Sequence, residues 1–185
     1  MYRIIAGKWK AKKISAPKNF DVRPTTDFAK EALFSILQNR FEFEFCSVLD
    51  LFCGIGSVTL EFASRDCKDI TAVDNNAKHI GFINSTAAEL DMAFQIRSNR
   101  ADVFEYIRKN KAQKSYDIIF ADPPFETEQN DYEKIINAVF ENEFLKTTGL
   151  FVLEHQSKIK FENKYLQDTR KYGNVSFSFL SNTEK

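Results

Sequence analysis

From residue 47 onward the chain alternates short β-rich apolar runs with stretches whose apolar residues recur at helical spacing. The runs Ser47 to Leu51, Ile70 to Asp74, Asp117 to Ala121 and Leu150 to Glu154 predict strands, with a weaker one over Phe94 to Arg97. Between them, Ser57 to Arg65, Ala77 to Leu90, Asp102 to Lys109 and Tyr132 to Phe144 predict helices; in the second, Ile80, Ile83, Ala87 and Leu90 fall on one side. Such alternation builds a parallel sheet covered on both faces, because parallel strands are joined by right-handed crossovers. The fold class is therefore α/β, doubly wound. Val175, Phe177 and Phe179 alternate with Ser176, Ser178 and Leu180, which predicts a last strand at an antiparallel edge.

Ahead of this core, Arg3 to Ile14 predicts two short extended runs about a turn near Ala6-Gly7-Lys8, a small basic hairpin. A helix follows Pro17 and Pro24: Thr25 or Thr26 can cap it, Asp27 suits the positive end of its dipole, and Phe28, Ala29, Ala32, Leu33, Ile36 and Leu37 make a core face. Phe41-Glu42-Phe43-Glu44-Phe45 reads as a loop or edge strand. There is no internal repeat or low-complexity linker, so the chain is expected to be one domain, with residues 1–22 as a hairpin extension and 23–185 as the core.

The 185 residues, 43% hydrophobic and 28% charged, suffice for a buried core without disulfides or metals. No apolar run approaches the roughly 18 residues of a spanning helix, and Met1 to Lys8 lacks the apolar stretch of a signal peptide, so a cytoplasmic protein without membrane contact is expected. Cys46, Cys53 and Cys67 form no CxxC pair, which points to reduced thiols and no metal. The 26 basic and 26 acidic residues are unevenly spread. Residues 1–30 hold eight Lys or Arg against Asp21 and Asp27, a local net of +6 that leaves −6 for the rest. The basic end either meets a polyanion or is a solvated strand pair.

Ligands of open α/β sheets bind beyond the carboxyl ends of the strands, where the strand order reverses. Asp50 ends the first strand of the core, and Gly54 and Gly56 permit a tight turn against which a ligand can lie. Asp74, 24 residues after Asp50, is spaced to accept from ribose hydroxyls or to cap the next helix. Asp102 can accept from an adenine amino group or simply N-cap its helix. The decisive element is Asp122-Pro123-Pro124-Phe125, because two prolines stiffen the loop and supply no N–H to consume its acceptors. The Asp122 carboxylate and Pro123 carbonyl can grip both N–H bonds of a planar exocyclic amine and aim its lone pair at a methyl donor, while Phe125 offers a face for the base.

In these residues the chain resembles the class I S-adenosylmethionine-dependent methyltransferases, and more closely the RsmD type that methylates N2 of a guanine in bacterial 16S ribosomal RNA. The resemblance runs nearly full length. It rests on Arg3-Ile4-Ile5-Ala6-Gly7-Lys8-Trp9, Arg23-Pro24-Thr25-Thr26-Asp27 through Glu31-Ala32-Leu33-Phe34, the glycine turn of Leu49 to Glu61, Asp122 to Phe125, and Gly173-Asn174-Val175. Two departures are Ala6, where glycine is frequent, and Cys53-Gly54-Ile55-Gly56, where alanine-glycine-serine-glycine is more usual. The resemblance implies a Rossmann-like, mostly parallel seven-stranded sheet flanked by six helices, its last strand antiparallel, with S-adenosyl-L-methionine as cofactor. It places the Gly54 and Gly56 turn on the methionine portion with Asp50 near the amino group, Asp74 on the ribose, Asp102 on the adenine edge, and Thr25 and Thr26 over the methionine end. Phe52, Asn75 and Ala101 complete the expected cofactor set. Asp122, Pro123, Pro124 and Phe125 form the catalytic set. Arg3, Lys8, Lys10, Lys12, Lys13 and Arg23 are expected on ribosomal RNA, with Trp9 either stacking on RNA or packing under the hairpin.

The expected partner is 16S ribosomal RNA, within a small-subunit particle, with the enzyme a monomer. Alternatives are adenine-N6 methylation of nucleic acid, disfavoured because no stretch remains for a target-recognition domain, and a non-catalytic RNA-binding module on the same fold. A nicotinamide dehydrogenase is disfavoured by Thr59, where its fingerprint wants Gly or Ala. His79 and His155 lack partners at metal-ligand spacing, and Cys53 reads as an apolar filler.

Overall fold

Two apolar layers, one on each face of a single sheet, organise the chain. A computed structural model describes residues 1–17, 20, 25–111, 113–160 and 162–182. Strands β1 (Tyr2–Arg3) and β2 (Lys13–Ile14) pair antiparallel as a separate ribbon. The core then runs α1 (Asp27–Gln38), β3 (Ser47–Leu51), α2 (Ser57–Ser64), β4 (Asp69–Asp74), α3 (Ala77–Glu89), β5 (Ile96–Arg100), α4 (Val103–Lys109), β6 (Tyr116–Ala121), α5 (Gln129–Glu141), β7 (Leu145–Gln156), β8 (Leu166–Tyr172) and β9 (Val175–Leu180). The seven strands lie in the order β5-β4-β3-β6-β7-β9-β8, with β3 to β7 parallel and β9 antiparallel to both its neighbours.

Successive residues of a strand point to opposite faces, and the apolar runs serve both. Val48, Ile118, Phe120 and Val152 face a layer built with Leu33 and Phe34 of α1 and Leu60 and Phe62 of α2. Leu49, Leu51, Ile119 and Phe151 face Ile107 of α4 and Ile135, Ile136 and Val139 of α5. In the first layer Phe34, Phe43 and Phe62 meet edge to face, with ring centroids 4.6–5.8 Å apart. Phe43 enters this trio from a 3₁₀ turn, Phe43–Phe45, so the Phe-Glu alternation is not a strand.

Several boundaries differ from the sequence expectation, each for a local reason. A 3₁₀ turn at Ala93–Gln95 delays β5 to Ile96, leaving Phe94 exposed. There the Gln95 amide donates to the carbonyls of Ala63 and Cys67 at 2.9 and 2.7 Å, closing the end of α2. Helix α5 starts and ends about a turn early, because Glu143 takes a left-handed φ of 58° and turns the chain toward β7. Strand β7 is longer than Leu150 to Glu154, and β9 is antiparallel but interior. The edge is β8, whose polar sequence Leu-Gln-Asp-Thr-Arg-Lys-Tyr shows no apolar alternation because its flank is solvated. Five α-helices, not six, occur among the described residues. In α1 the buried face is Ala29, Lys30, Leu33, Phe34 and Leu37; Ala32 and Ile36 are half-buried, and Phe28 is exposed.

Lys30 anchors the N-terminal ribbon. The fully buried Glu61 of α2 accepts from the backbone N–H groups of Ile5 and Ala6 at 2.7 and 3.0 Å and from Arg65 Nε at 2.8 Å. Lys30 Nζ lies 3.6 Å from the same carboxylate and donates to the Arg3 carbonyl and Ser57 hydroxyl. Burial pulls the Lys30 pKa down and Glu61 opposes that fall. Removing one member leaves an uncompensated buried charge, at about 3–5 kcal/mol. Glu61→Ala is therefore expected to lower stability by about that amount in urea unfolding and to accelerate amide hydrogen exchange at Ile5 and Ala6; exchange unchanged at both would contradict the anchor.

Candidate active site

The chain leaves β3 toward β4 on one side and leaves β6 toward β7 on the other, so a crevice opens where these adjacent strands end. A cavity of about 540 Å³ occupies it. Its floor is Asp50 of β3, followed by a turn in which Phe52, Gly54 and Gly56 all have positive φ, 59°, 52° and 77°. The two glycines do different work. A Cβ on Gly54 would meet only the Phe52 carbonyl at 4.0 Å, leaving the turn open to a ligand; one on Gly56 would strike Ile83 at 2.8 Å, so Gly56 serves the packing of α2 on α3.

Thr25, Thr26, Asp50, Phe52, Gly54, Asp74, Asn75, Asp102 and Asp122 to Phe125 all line this cavity. Gly56 and Ala101 do not; the Ala101 N–H instead donates to the Asp74 carbonyl at 3.0 Å. Asp74 pins the turn, accepting from Gly54 N–H at 2.9 Å and Asn76 N–H at 2.8 Å, with His79 Nδ1 at 3.2 Å. Asp102 caps α4 through Glu105 N–H. Thr26 caps α1, while the Thr25 hydroxyl donates at 2.8 Å to Glu154, two residues before the end of β7. A wider groove of about 730 Å³ around Lys114, Glu143 and Lys146 lies at the opposite edge, where β6 and β7 begin.

Three carboxylates converge at the floor. Asp50 is 1% exposed; Oδ2 accepts from the Thr59 hydroxyl, while Oδ1 is buried without a hydrogen-bond partner among the described residues. Burial pushes its carboxyl up to about 7, helped by Asp74 and opposed by Thr59. Asp122 is held well above the usual carboxylate range by burial and by the charges of Glu154 and Asp50. Tyr132, also on the wall, is pushed up to about 12 by burial and Asp122. A pocket of this kind favours a cationic ligand with an N–H donor for the orphaned oxygen. Cys53 is no nucleophile, because burial raises its thiol well above normal. His155 is buried, with ring nitrogens 2.9 Å from the Ser178 hydroxyl and 3.0 Å from the Gln156 carbonyl. Among the described residues no group of three or more His, Cys, Asp or Glu is placed to hold a metal, and no helix is long and apolar enough to cross a membrane.

Thr59, Glu154 and Tyr132 escaped the sequence reading. The one signal was Thr59, a hydroxyl where a dinucleotide fold wants glycine. The basic residues gather elsewhere. Lys8 N–H and Trp9 N–H bond to Ser64 at the far end of α2, and Lys8 and Lys12 pair with Asp91 and Glu89 at the far end of α3. Trp9 packs on the first apolar layer, and Arg3 pairs with Asp27 at 2.7 Å. Lys10 and Lys13 are exposed. Arg23 lies outside the described residues.

A family model described as conserved hypothetical protein 95 matches residues 2–181. The chain is 30% identical over 188 residues to the ribosomal RNA small subunit methyltransferase D of Haemophilus influenzae, spanning 97% of this chain and 93% of that one. A putative methylase from Haemophilus influenzae superposes with a TM-score of 0.79 at 26% identity, over 99% of each chain. The Thermus thermophilus 16S rRNA N2 G1207 methyltransferase, solved with AdoMet and guanosine, shares the fold with a TM-score of 0.67 at 23% identity, over 86% of this chain and 44% of that one.

The raised Asp50 carboxyl has a consequence for the empty protein. Between its ordinary value of 3.8 and about 7 the folded state keeps a proton that the unfolded state has lost, so stability falls as pH rises through that window. Above it the penalty is constant, on the order of 4 kcal/mol. Asp50→Asn is expected to raise the thermal midpoint at pH 8, with the gain fading by pH 4; a difference independent of pH would contradict the assignment.

Proposed function

The chain belongs to the conserved hypothetical protein 95 family, the RsmD family of Rossmann-like class I S-adenosylmethionine-dependent methyltransferases, and on that premise we propose that it methylates the exocyclic N2 amino group of one guanine, the 966-type site, in bacterial 16S ribosomal RNA. The observation that carries the reading is the meeting, on one cavity, of a buried carboxylate with an orphaned oxygen and the loop Asp122-Pro123-Pro124-Phe125.

S-adenosylmethionine supplies an electrophilic methyl on a sulfonium centre. The residues present fit it. Asp50 Oδ1 offers an acceptor to its ammonium, and the N-terminus of α2, which has no side-chain cap, offers N–H groups to its carboxylate. Asp74 and Asp102 take the ribose hydroxyls and the adenine edge; a carboxylate has about four acceptor positions, so the structural bonds they already make leave capacity. A bound sulfonium and ammonium favour the ionised forms of Asp50 and Asp122, and with Glu154 these then stabilise positive charge in a low-dielectric setting.

On the substrate side, the Asp122 carboxylate and Pro123 carbonyl accept the two N–H bonds of the amine, which turns its lone pair toward the methyl. Phe125, 57% exposed, stacks under the base. In an in-line displacement the C–N bond would form as the methyl–sulfur bond breaks and the neutral thioether leaves, the enzyme contributing positioning and electrostatic match. Once the new C–N bond exists the nitrogen becomes acidic, and Asp122, a stronger base than an ordinary carboxylate, receives its proton. Lys10 and Lys13 carry the hairpin's share of the phosphate contacts, and the enzyme acts as a monomer on the small-subunit particle.

Asp122→Ala is expected to reduce tritium transfer from labelled cofactor to small-subunit RNA by about a hundredfold or more, with the fold intact by circular dichroism. RNA from cells lacking the protein should be missing one N2-methylguanine by mass spectrometry. Near-normal turnover by a folded variant refutes the role given to Asp122.

A further inference from the structure

Phe28 sits in the first turn of α1, 70% exposed, with its ring edge-on to Tyr172 at the end of β8, centroids 6.0 Å apart and planes at 69°. This aromatic pair borders the cavity. Thr25 and Thr26, just ahead of Phe28, line it, and Tyr172 is opposite Val175, which lines it too. The other exposed ring on the rim is Phe125, whose carbonyl accepts from the Gln156 amide. Gln156 is opposite Val175 and Val175 opposite Tyr172, which puts the backbones of Gln156 and Tyr172 about two strand spacings, about 10 Å, apart. Phe125 and the Phe28–Tyr172 pair thus flank the cavity mouth from different segments and offer separate faces.

The same strand tips carry cations. Ser157 bonds through its N–H to the Asn174 carbonyl at 3.0 Å and through its hydroxyl to the Gly173 carbonyl at 3.2 Å, which places Lys158 beside the β8–β9 turn. Lys171 is opposite Ser176, whose hydroxyl donates to Ser157. Both lysines are exposed, and neither has an ion pair among the described residues, in contrast to Lys8 and Lys12 on the hairpin. The hairpin tip rests at the far ends of α2 and α3, helices about 12 and 20 Å long whose near ends border the cavity.

We infer that Phe28 and Tyr172, with Lys158 beside them, form a second nucleotide-binding platform at the cavity mouth that stacks a base neighbouring the target in single-stranded RNA and holds its phosphate. Stacking tolerates any base, so the platform fixes the strand's path and not its sequence. The inference rests on the proposed methylation of RNA in the adjoining cavity and names a surface for it apart from the hairpin.

The test is a titration of a single-stranded oligoribonucleotide carrying one 2-aminopurine with the full-length protein, read by emission. Quenching is expected for the unaltered protein, with affinity about tenfold lower and quenching lost in Phe28→Ser. Lys158→Glu should flatten the salt dependence of affinity by about 0.7 in logarithmic slope, one phosphate contact. Phe45→Ser, at an exposed phenylalanine before the start of β3, should bind as the unaltered protein does. Circular dichroism and calorimetry with S-adenosylmethionine confirm that each variant is folded and keeps its cofactor. Equal affinity and quenching for Phe28→Ser overturns the platform. If the platform variants lose RNA while the unaltered protein makes no methylguanine, the platform stands and the proposed reaction falls; if methyl transfer proceeds and Phe28→Ser binds normally, the platform alone falls.

Discussion

A carboxylate buried with half of its acceptors unused is costly, and the arrangement around Asp50 is built on that cost. The position is forced by topology, because β3 and β6 are neighbours whose chains depart in opposite directions and leave a crevice at their ends. Into it project Asp50, Asp122 and, from the next strand, Glu154, and the charges of Glu154 and Asp50 add to burial in raising the proton affinity of Asp122. The Thr59 hydroxyl satisfies one oxygen of Asp50, a residue lining the cavity, from within α2 and leaves the other without a hydrogen-bond partner among the described residues. In the proposed reaction a cationic cofactor would offset this frustration, and an amine whose protons are shared between Asp122 and a proline carbonyl would meet it at the same place.

The N-terminal ribbon belongs to the same construction. Tyr2 donates its hydroxyl at 2.9 Å to the carbonyl of Ile55, inside the glycine turn, and Lys30 joins the Arg3 carbonyl to the Ser57 hydroxyl at the start of α2. Gly7 approaches Ser64 so closely that a Cβ there would lie 1.8 Å from its carbonyl oxygen. Helix α2 is thus held along its whole length by the ribbon, and its near end is the wall of the cavity. The ribbon's basic tip is turned to the far end of the molecule, whereas the exposed cations and rings at the cavity mouth come from α1, β8 and the loops after β6 and β7.

Local signals along the chain were enough to read the parallel sheet, the glycine turn and the rigid proline loop. Continuous apolar runs such as Ile118-Ile119-Phe120 mark strands buried on both faces, and Asp50, Asp74, Asp102 and Asp122 stand at strand ends by their spacing alone. What escaped depends on contacts between distant segments. Thr25 and Glu154 are 129 positions apart, and nothing near either residue announces the bond. Strand β8 lacks apolar alternation because it covers an edge, and Phe28 follows helical spacing yet falls just outside the buried stripe of α1. The Phe-Glu alternation at 41–45 imitates a strand, whereas the trio of Phe34, Phe43 and Phe62 decides its conformation.

In the proposed function the unpartnered oxygen of Asp50 receives the amine of a sulfonium cofactor beside the Asp122 loop. A crystal structure of the protein with S-adenosylmethionine decides the matter. The cofactor's amino nitrogen is expected within hydrogen-bonding distance of Asp50 Oδ1, with its methyl group directed at Asp122 and Pro123. Cofactor bound with its amine elsewhere, or its methyl turned away from that loop, would contradict it.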